Sequence, residues 1–143
     1  MISNLSKPKI LSEAQVKSAI EFHGHPGLFL IIGLRIGQLA LRLLDARGYF
    51  DISCVAELRW SPPDSCVIDG IQFSTGCTMG KHNIEVVEQE GIAAIFTKED
   101  KSVRIELKSA LLESIHRSLE EGTEEKLVES IITASEEEIF HIK

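Results

Sequence analysis

The stretch that most limits how this chain can fold is residues 27–47. Leu30, Leu34, Ile36, Leu39, Leu41, Leu43 and Leu44 spread a broad apolar surface over one long helix, and Gly48 supplies its stop. Pro26 suits the first turn, where a missing N–H does no harm. A helix this apolar belongs in a core. Gly33 and Gly37 sharpen the demand: four residues apart, they share one face. Each costs up to about 1 kcal/mol against alanine in a helix interior. That cost implies that a strand, another helix or a second subunit packs closely on the glycine face. In a membrane the same spacing would suggest helix pairing. The longest apolar run, residues 28–32, is far too short to span a bilayer, and Arg35 and Arg42 interrupt the residues after it.

Around that helix the chain reads as α+β. Ser12 with Gln15 forms a capping box for a short helix that carries Ala14, Val16, Ala19 and Ile20 and ends near Phe22 at the Gly24 break. Residues 52–59 alternate as a strand, with Cys54 a small core residue inside it. Trp60-Ser61-Pro62-Pro63 is a rigid break. Asp64 or Ser65 then caps a short helix carrying Cys66, Val67, Ile68, Gly70, Ile71 and Phe73, with a buried strand as the alternative. Residues 75–83 read as a loop. Strands are expected at 84–88, 92–97 and 103–107, the last two joined by a turn at Glu99-Asp100-Lys101-Ser102. Two amphipathic helices, 109–121 and 124–137, divide at Gly122. The expected architecture is an antiparallel sheet packed against the long central helix, with additional N- and C-terminal helices.

The 143 residues make one domain with room for a core, and the net charge of −7 argues against a nucleic-acid backbone as partner. The acidity is uneven. Residues 1–84 carry eight Lys/Arg against seven Asp/Glu, whereas residues 85–143 carry seven against fifteen. All three cysteines lie in the near-neutral part. Their number is odd and their spacing is not a secreted disulfide framework. Met1-Ile2-Ser3-Asn4 lacks a charged-then-apolar leader, so a reducing cytoplasm is expected, with cysteine as thiol or ligand.

Chemistry concentrates in two places. Residues 65–83 hold Cys66, Cys77 and His82, and His23-Gly24-His25 lies upstream. Imidazoles and thiols are the ligands of soft and borderline metals. Residues two apart face different ways on a helix, so His23 and His25 act together only if the backbone there is not helical. Gly76 permits a turn in which Thr75 and Thr78 flank and present Cys77. Cys66 falls near a helix start, where the dipole lowers a thiol pKa. Asp69, one helical turn on, suits a carboxylate that orients a ligating histidine. Lys81 and His82 lie in the loop, with Lys81 placed to hold an anionic group. The metal candidates are therefore His23, His25, Cys66 and Cys77. Asp69, Thr75, Thr78, Lys81 and His82 are supporting or substrate-binding candidates. The spacing matches neither Cys-x-x-Cys nor His-Glu-x-x-His.

These residues also carry a resemblance. Phe22-His23-Gly24-His25 precedes a helix with Gly33, Arg35 and Gly37. Then come Pro62-Pro63-x-Ser65-Cys66-x-x-Asp69-Gly70-Ile71-Gln72 and Thr75-Gly76-Cys77-Thr78-x-Gly80-Lys81-x-Asn83. This order resembles the FmdE family, named for a component of formylmethanofuran dehydrogenase, over about residues 12–107, with 108–143 as an acidic helical addition. The resemblance implies an α+β core that binds a divalent metal, commonly zinc. It implies a homodimer, sometimes intertwined. It also implies a link to molybdenum- or tungsten-dependent one-carbon metabolism, methanogenesis included, with subunits of a larger dehydrogenase complex as partners. Two departures stand out. Many members read His-Gly-His-x-Cys-Pro-Gly, whereas here His25-Pro26-Gly27-Leu28 lacks that cysteine, so the ligand set must differ. Many also append a cysteine-rich zinc finger, and residues 108–143 contain no cysteine to build one. His82 stands where the family often has glycine and is a compensating ligand candidate.

Four functions compete at this level. One is a metal-binding accessory protein of that metabolism. The second is a metal-dependent enzyme that uses an open coordination position. The third is a thiol redox protein that pairs Cys66 with Cys77. The fourth is a non-catalytic interaction scaffold.

Overall fold

Local chemistry starts the fold as the sequence predicts. In the structure, a computed structural model that describes residues 12–143, Ser12 and Gln15 close a reciprocal capping box on helix α1, Glu13–His23. Gly24 ends it in the left-handed region at φ 108°, its N–H bonded to Ile20 O. The long helix α2, Leu28–Leu43, follows, with eleven of its sixteen residues buried. Strand β1, Ser53–Leu58, leads to a 3-10 turn at Asp64–Cys66 and then to helix α3, Val67–Thr75. The helical alternative therefore holds over the buried strand. A second 3-10 turn, Met79–Lys81, precedes strands β2, Ile84–Glu88, β3, Ile92–Lys98, and β4, Lys101–Leu107.

With β5, Phe140–Ile142, the described residues form a five-stranded sheet of order β2-β1-β3-β4-β5. It is mostly antiparallel, but β1 and β2 pair in parallel, Cys54 opposite Ile84 and Leu58 opposite Glu88. A parallel pair needs a long crossover, usually a helix. Here the crossover is residues 59–83, and α3 is its helix. The stretch richest in reactive side chains is thus also the connection that makes the sheet mixed.

The close packing demanded by Gly33 and Gly37 is met within the chain. A Cβ on Gly33 would run into the Val67 carbonyl oxygen, and one on Gly70 would run into Leu30 O. One on Gly37 would meet the Ser74 hydroxyl. Helices α2 and α3 therefore cross glycine against glycine, backbone on backbone. That contact sets the start of α3 beside the residues just before α2. The apolar side of α2 and the face of the sheet bearing Cys54, Ala56, Leu58, Phe96 and Ile105 bury each other in one core.

The C-terminal part divides more finely than its periodicity predicts. Helix α4 spans Ser109–Glu121 and ends at Gly122, φ 71°. The expected 124–137 helix is two, α5, Glu125–Thr133, and α6, Glu136–Ile139, because Ala134 is extended and Ser135 opens a new capping box with Glu138. A short strand β5, Phe140–Ile142, then pairs with β4. Arg35 of α2 donates to Ile131 O, Ile132 O and Ala134 O at 2.8–3.0 Å, satisfying carbonyls at the end of α5. The acidic segment is docked on the central helix, not merely appended to it. Among the described residues no helix is long and apolar enough to cross a membrane.

Candidate metal centre

His23 is the last residue of α1, and Gly24 turns the chain so that the His25 ring comes back against it, 4.6 Å between centroids. The glycine crossing of α2 and α3 then brings in Cys66, the residue before α3. One ligand atom from each of His23, His25 and Cys66 lies within 4.8 Å of the other two. The histidines come together where the backbone leaves the helix, as their spacing requires.

The hydrogen bonds fix which atoms are free. His23 Nδ1 is 2.5 Å from Asp69 Oδ2, and a carboxylate there only accepts, so Nδ1 carries the proton. His23 Nε2 is buried and, among the described residues, has no hydrogen-bond partner. Such an orphan is expensive and calls for an explanation. His25 Nδ1 lies 3.0 Å from Pro26 O, a carbonyl that also only accepts. Each histidine thus donates through Nδ1 to a carboxylate or a backbone carbonyl and keeps its Nε2 lone pair. This is the outer arrangement that metal-ligating histidines use. Burial, with Asp69 and Asp64 nearby, pushes the Cys66 thiol up, so without an ion the sulfur keeps its proton. A bound cation would displace that proton. Two imidazole nitrogens and one sulfur suit zinc among common divalent ions, and three protein ligands leave one position open.

Cys77 is not part of this group. The expected turn presents a thiol; the observed one buries it completely, with Sγ 3.5 Å from Ile52 O. Nine residues of α3 separate the two cysteines, about 14 Å of helix at 1.5 Å per residue. A shared zinc needs both sulfurs at about 2.3 Å from the ion. A disulfide needs Cα atoms closer than about 7 Å. The two sulfurs serve different places.

The other candidates at that far end build a turn. Thr75 Oγ1 donates to Ile71 O and accepts from Cys77 N. Thr78 caps the second 3-10 turn by accepting from Lys81 N. Lys81 Nζ donates to Gly76 O and Thr78 Oγ1 and lies near the Tyr49 and Phe50 rings, so its ammonium is already engaged. His82 takes the left-handed conformation, φ 61°, that the turn's exit requires. Asp69 alone of the supporting candidates stands at the trio.

Two residues escaped the sequence reading. Asp64 appeared there only as a helix cap, and His116 not at all. They meet at 2.9 and 3.2 Å beside a cleft of about 540 Å³ that Arg59, Glu88 and Leu112 also line. A signal for His116 existed: with Leu112, Ile115 and Leu119 it completes an i, i+3, i+4, i+7 stripe on α4.

Comparison with known proteins agrees with this fold. The chain is 30% identical over 95 residues to a protein of Archaeoglobus fulgidus described as a probable S-adenosyl-L-methionine-binding protein. That alignment takes in 61% of this chain but 25% of the relative, so the chain spans about a quarter of that protein's length. The crystal structure of a tungsten formylmethanofuran dehydrogenase FmdE-like protein from Syntrophus aciditrophicus superposes with a TM-score of 0.59 at 20% identity. It covers 92% of this chain and 70% of that one, a likeness of fold. The sequence model of the family described as "FmdE, Molybdenum formylmethanofuran dehydrogenase operon" matches residues 22–141, which takes in the C-terminal helices expected to lie outside the shared region. With a match that begins beside the first site histidine and ends in the last strand, this chain belongs to the FmdE family.

Proposed function

We propose that this protein binds one divalent transition-metal ion, zinc by its donor set, through His23 Nε2, His25 Nε2 and Cys66 Sγ. The observation that carries this reading is the buried Nε2 of His23, which has no partner among the described residues and whose Nδ1 is held by Asp69. In this reading Asp69 fixes the tautomer and ring orientation of His23, Pro26 O does the same for His25, and the glycine crossing delivers the sulfur. When bound, such an ion supplies Lewis acidity at its open position. The protein is then a metal-binding accessory or subunit-type protein of formylmethanofuran dehydrogenase and related molybdenum- or tungsten-dependent one-carbon metabolism in the cytoplasm. Membership of the family supports that assignment. Other subunits of a dehydrogenase complex and a second copy of this chain are its expected partners. The glycine face is filled by α3, so the dimer rests on the family alone.

A second reading, an enzyme working at the open position, draws on the three-ligand count. The Cys66–Cys77 redox pair is set aside, because α3 holds the two apart.

The test is elemental analysis of protein purified without a chelating resin, followed by replacement of its ion with cobalt(II). About one ion per chain and a thiolate-to-cobalt charge-transfer band are expected, as for a tetrahedral site with one sulfur. Reduced, folded protein that holds no ion and gives no such band would sink the proposal.

A further inference from the structure

His116 contacts a residue on each of the two segments that flank the metal trio, Asp64 and Phe29. Its Nε2 donates to the two oxygens of Asp64, at 2.9 and 3.2 Å, and its ring lies 5.8 Å from that of Phe29. Asp64 shares the 3-10 turn with Cys66, two residues ahead of it. Phe29 is four residues after His25, in the first turn of α2. One imidazole, reaching in from α4, thus bridges the segment that carries the sulfur and the segment that follows the second histidine.

The bridge is hard to dispense with. Asp64 is 3% exposed, and among the described residues His116 is the one hydrogen-bond partner of its carboxylate. A buried carboxylate without its partner is strongly destabilising. The turn therefore cannot drift from His116 without stranding that charge. Neither residue supplies an atom to the trio. The other charged groups on the cleft beside them, Arg59, Glu88 and Glu90, are exposed and of both signs, so they select no ligand of their own.

We propose that His116 is a positioning residue for the metal centre: through Asp64 and Phe29 it sets the separation between the Cys66 sulfur and the histidine arm. This rests on the metal reading above. Groups bonded directly to a ligand change metal affinity by about 10–100-fold without changing stoichiometry, and His116, one contact further out, is expected at the low end, about tenfold.

The experiment compares wild type, His116→Leu and His116→Gln, each shown to be folded by circular dichroism. Leucine keeps the bulk against Phe29 and removes the donor; glutamine keeps an N–H for Asp64. Zinc affinity by chelator competition should fall about tenfold in His116→Leu and return to within about threefold in His116→Gln. The cobalt(II) ligand-field bands should shift in His116→Leu, a change that loss of stability alone would not produce. Should a single variant fail to fold, the Asp64→Asn/His116→Leu pair, which strands no charge, gives the same reading. Wild-type affinity and wild-type cobalt bands in folded His116→Leu would overturn the inference while leaving the metal centre standing. Wild type that takes up no ion would remove the metal reading itself.

Discussion

At its N-terminal end α3 brings Cys66 to two histidines, one with a buried nitrogen that bonds to nothing among the described residues; at its C-terminal end Cys77 lies fully buried among groups already bonded to one another. Both ends hold a cysteine, a histidine nearby, and small polar side chains. What separates them is unspent bonding capacity. At the far end Thr75, Thr78, Lys81 and Asn83 use their donors and acceptors on the turn and on the backbone beside it. At the near end Asp69 and Pro26 take the Nδ1 protons, and His23 Nε2, close to Cys66 and His25, has no partner among the described residues. A site is marked by groups the fold orients but does not satisfy.

The sharpest way to break this contrast is to remove each sulfur in turn. Cys66→Ser should lower bound metal from about one ion per chain to almost none, since zinc loses its thiolate. Cys77→Ser should keep the ion and cost only stability, about 1–3 kcal/mol for a hydroxyl placed in a tight buried pocket. Elemental analysis and urea denaturation of both variants decide the matter. Metal lost from Cys77→Ser and kept in Cys66→Ser would reverse the assignment of the two ends.

The next effect concerns the crossing that separates them. Gly33→Ala pushes a methyl into the Val67 carbonyl at the Cys66 end, whereas Gly37→Ala meets the Ser74 side chain at the Cys77 end. Each should cost about 1–3 kcal/mol of overpacking. Only Gly33→Ala should also weaken zinc binding, which chelator competition reads directly. Equal zinc affinity in the two variants would show that the crossing does not set the site.

The remaining effect is electrostatic. Burial raises the pKa of Cys54 and Cys77. In the unfolded chain a thiol ionises near pH 8.5 or so. Above that pH the unfolded chain sheds protons that the folded chain keeps, so unfolding free energy falls as pH rises. The slope is at most about 1.4 kcal/mol per pH unit for each buried thiol. Denaturation midpoints measured from about pH 8 to pH 10 should decline accordingly, and less steeply in Cys77→Ser. The same slope in wild type and Cys77→Ser would mean that Cys77 is not held as a buried thiol.

Much of this was legible beforehand where the determinant is local. The Ser12 capping box, the Gly24 and Gly122 stops, the helix at 109–121 and the strand at 84–88 each follow from a few adjacent residues. Strand β5 was not, because three residues carry no periodicity and its pairing with β4 exists only in the folded chain. His23, His25, Cys66 and Asp69 were legible as chemistry. Cys77 looked equally reactive, because residue type and glycine turns say nothing about which carbonyl a sulfur will face.

Sequence alone determined that a long apolar helix with a glycine face must be tightly packed, that the chain alternates helices and short strands, and that imidazole and thiol cluster in two segments. These follow from side-chain periodicity and backbone freedom, which act over a few residues. Tertiary structure decided that α3 fills the glycine face, that the crossover makes β1 and β2 parallel, that Cys66 joins the histidines while Cys77 does not, and that His116 braces them. Those outcomes depend on which buried groups are left unsatisfied once distant segments meet, and no local pattern contains that information.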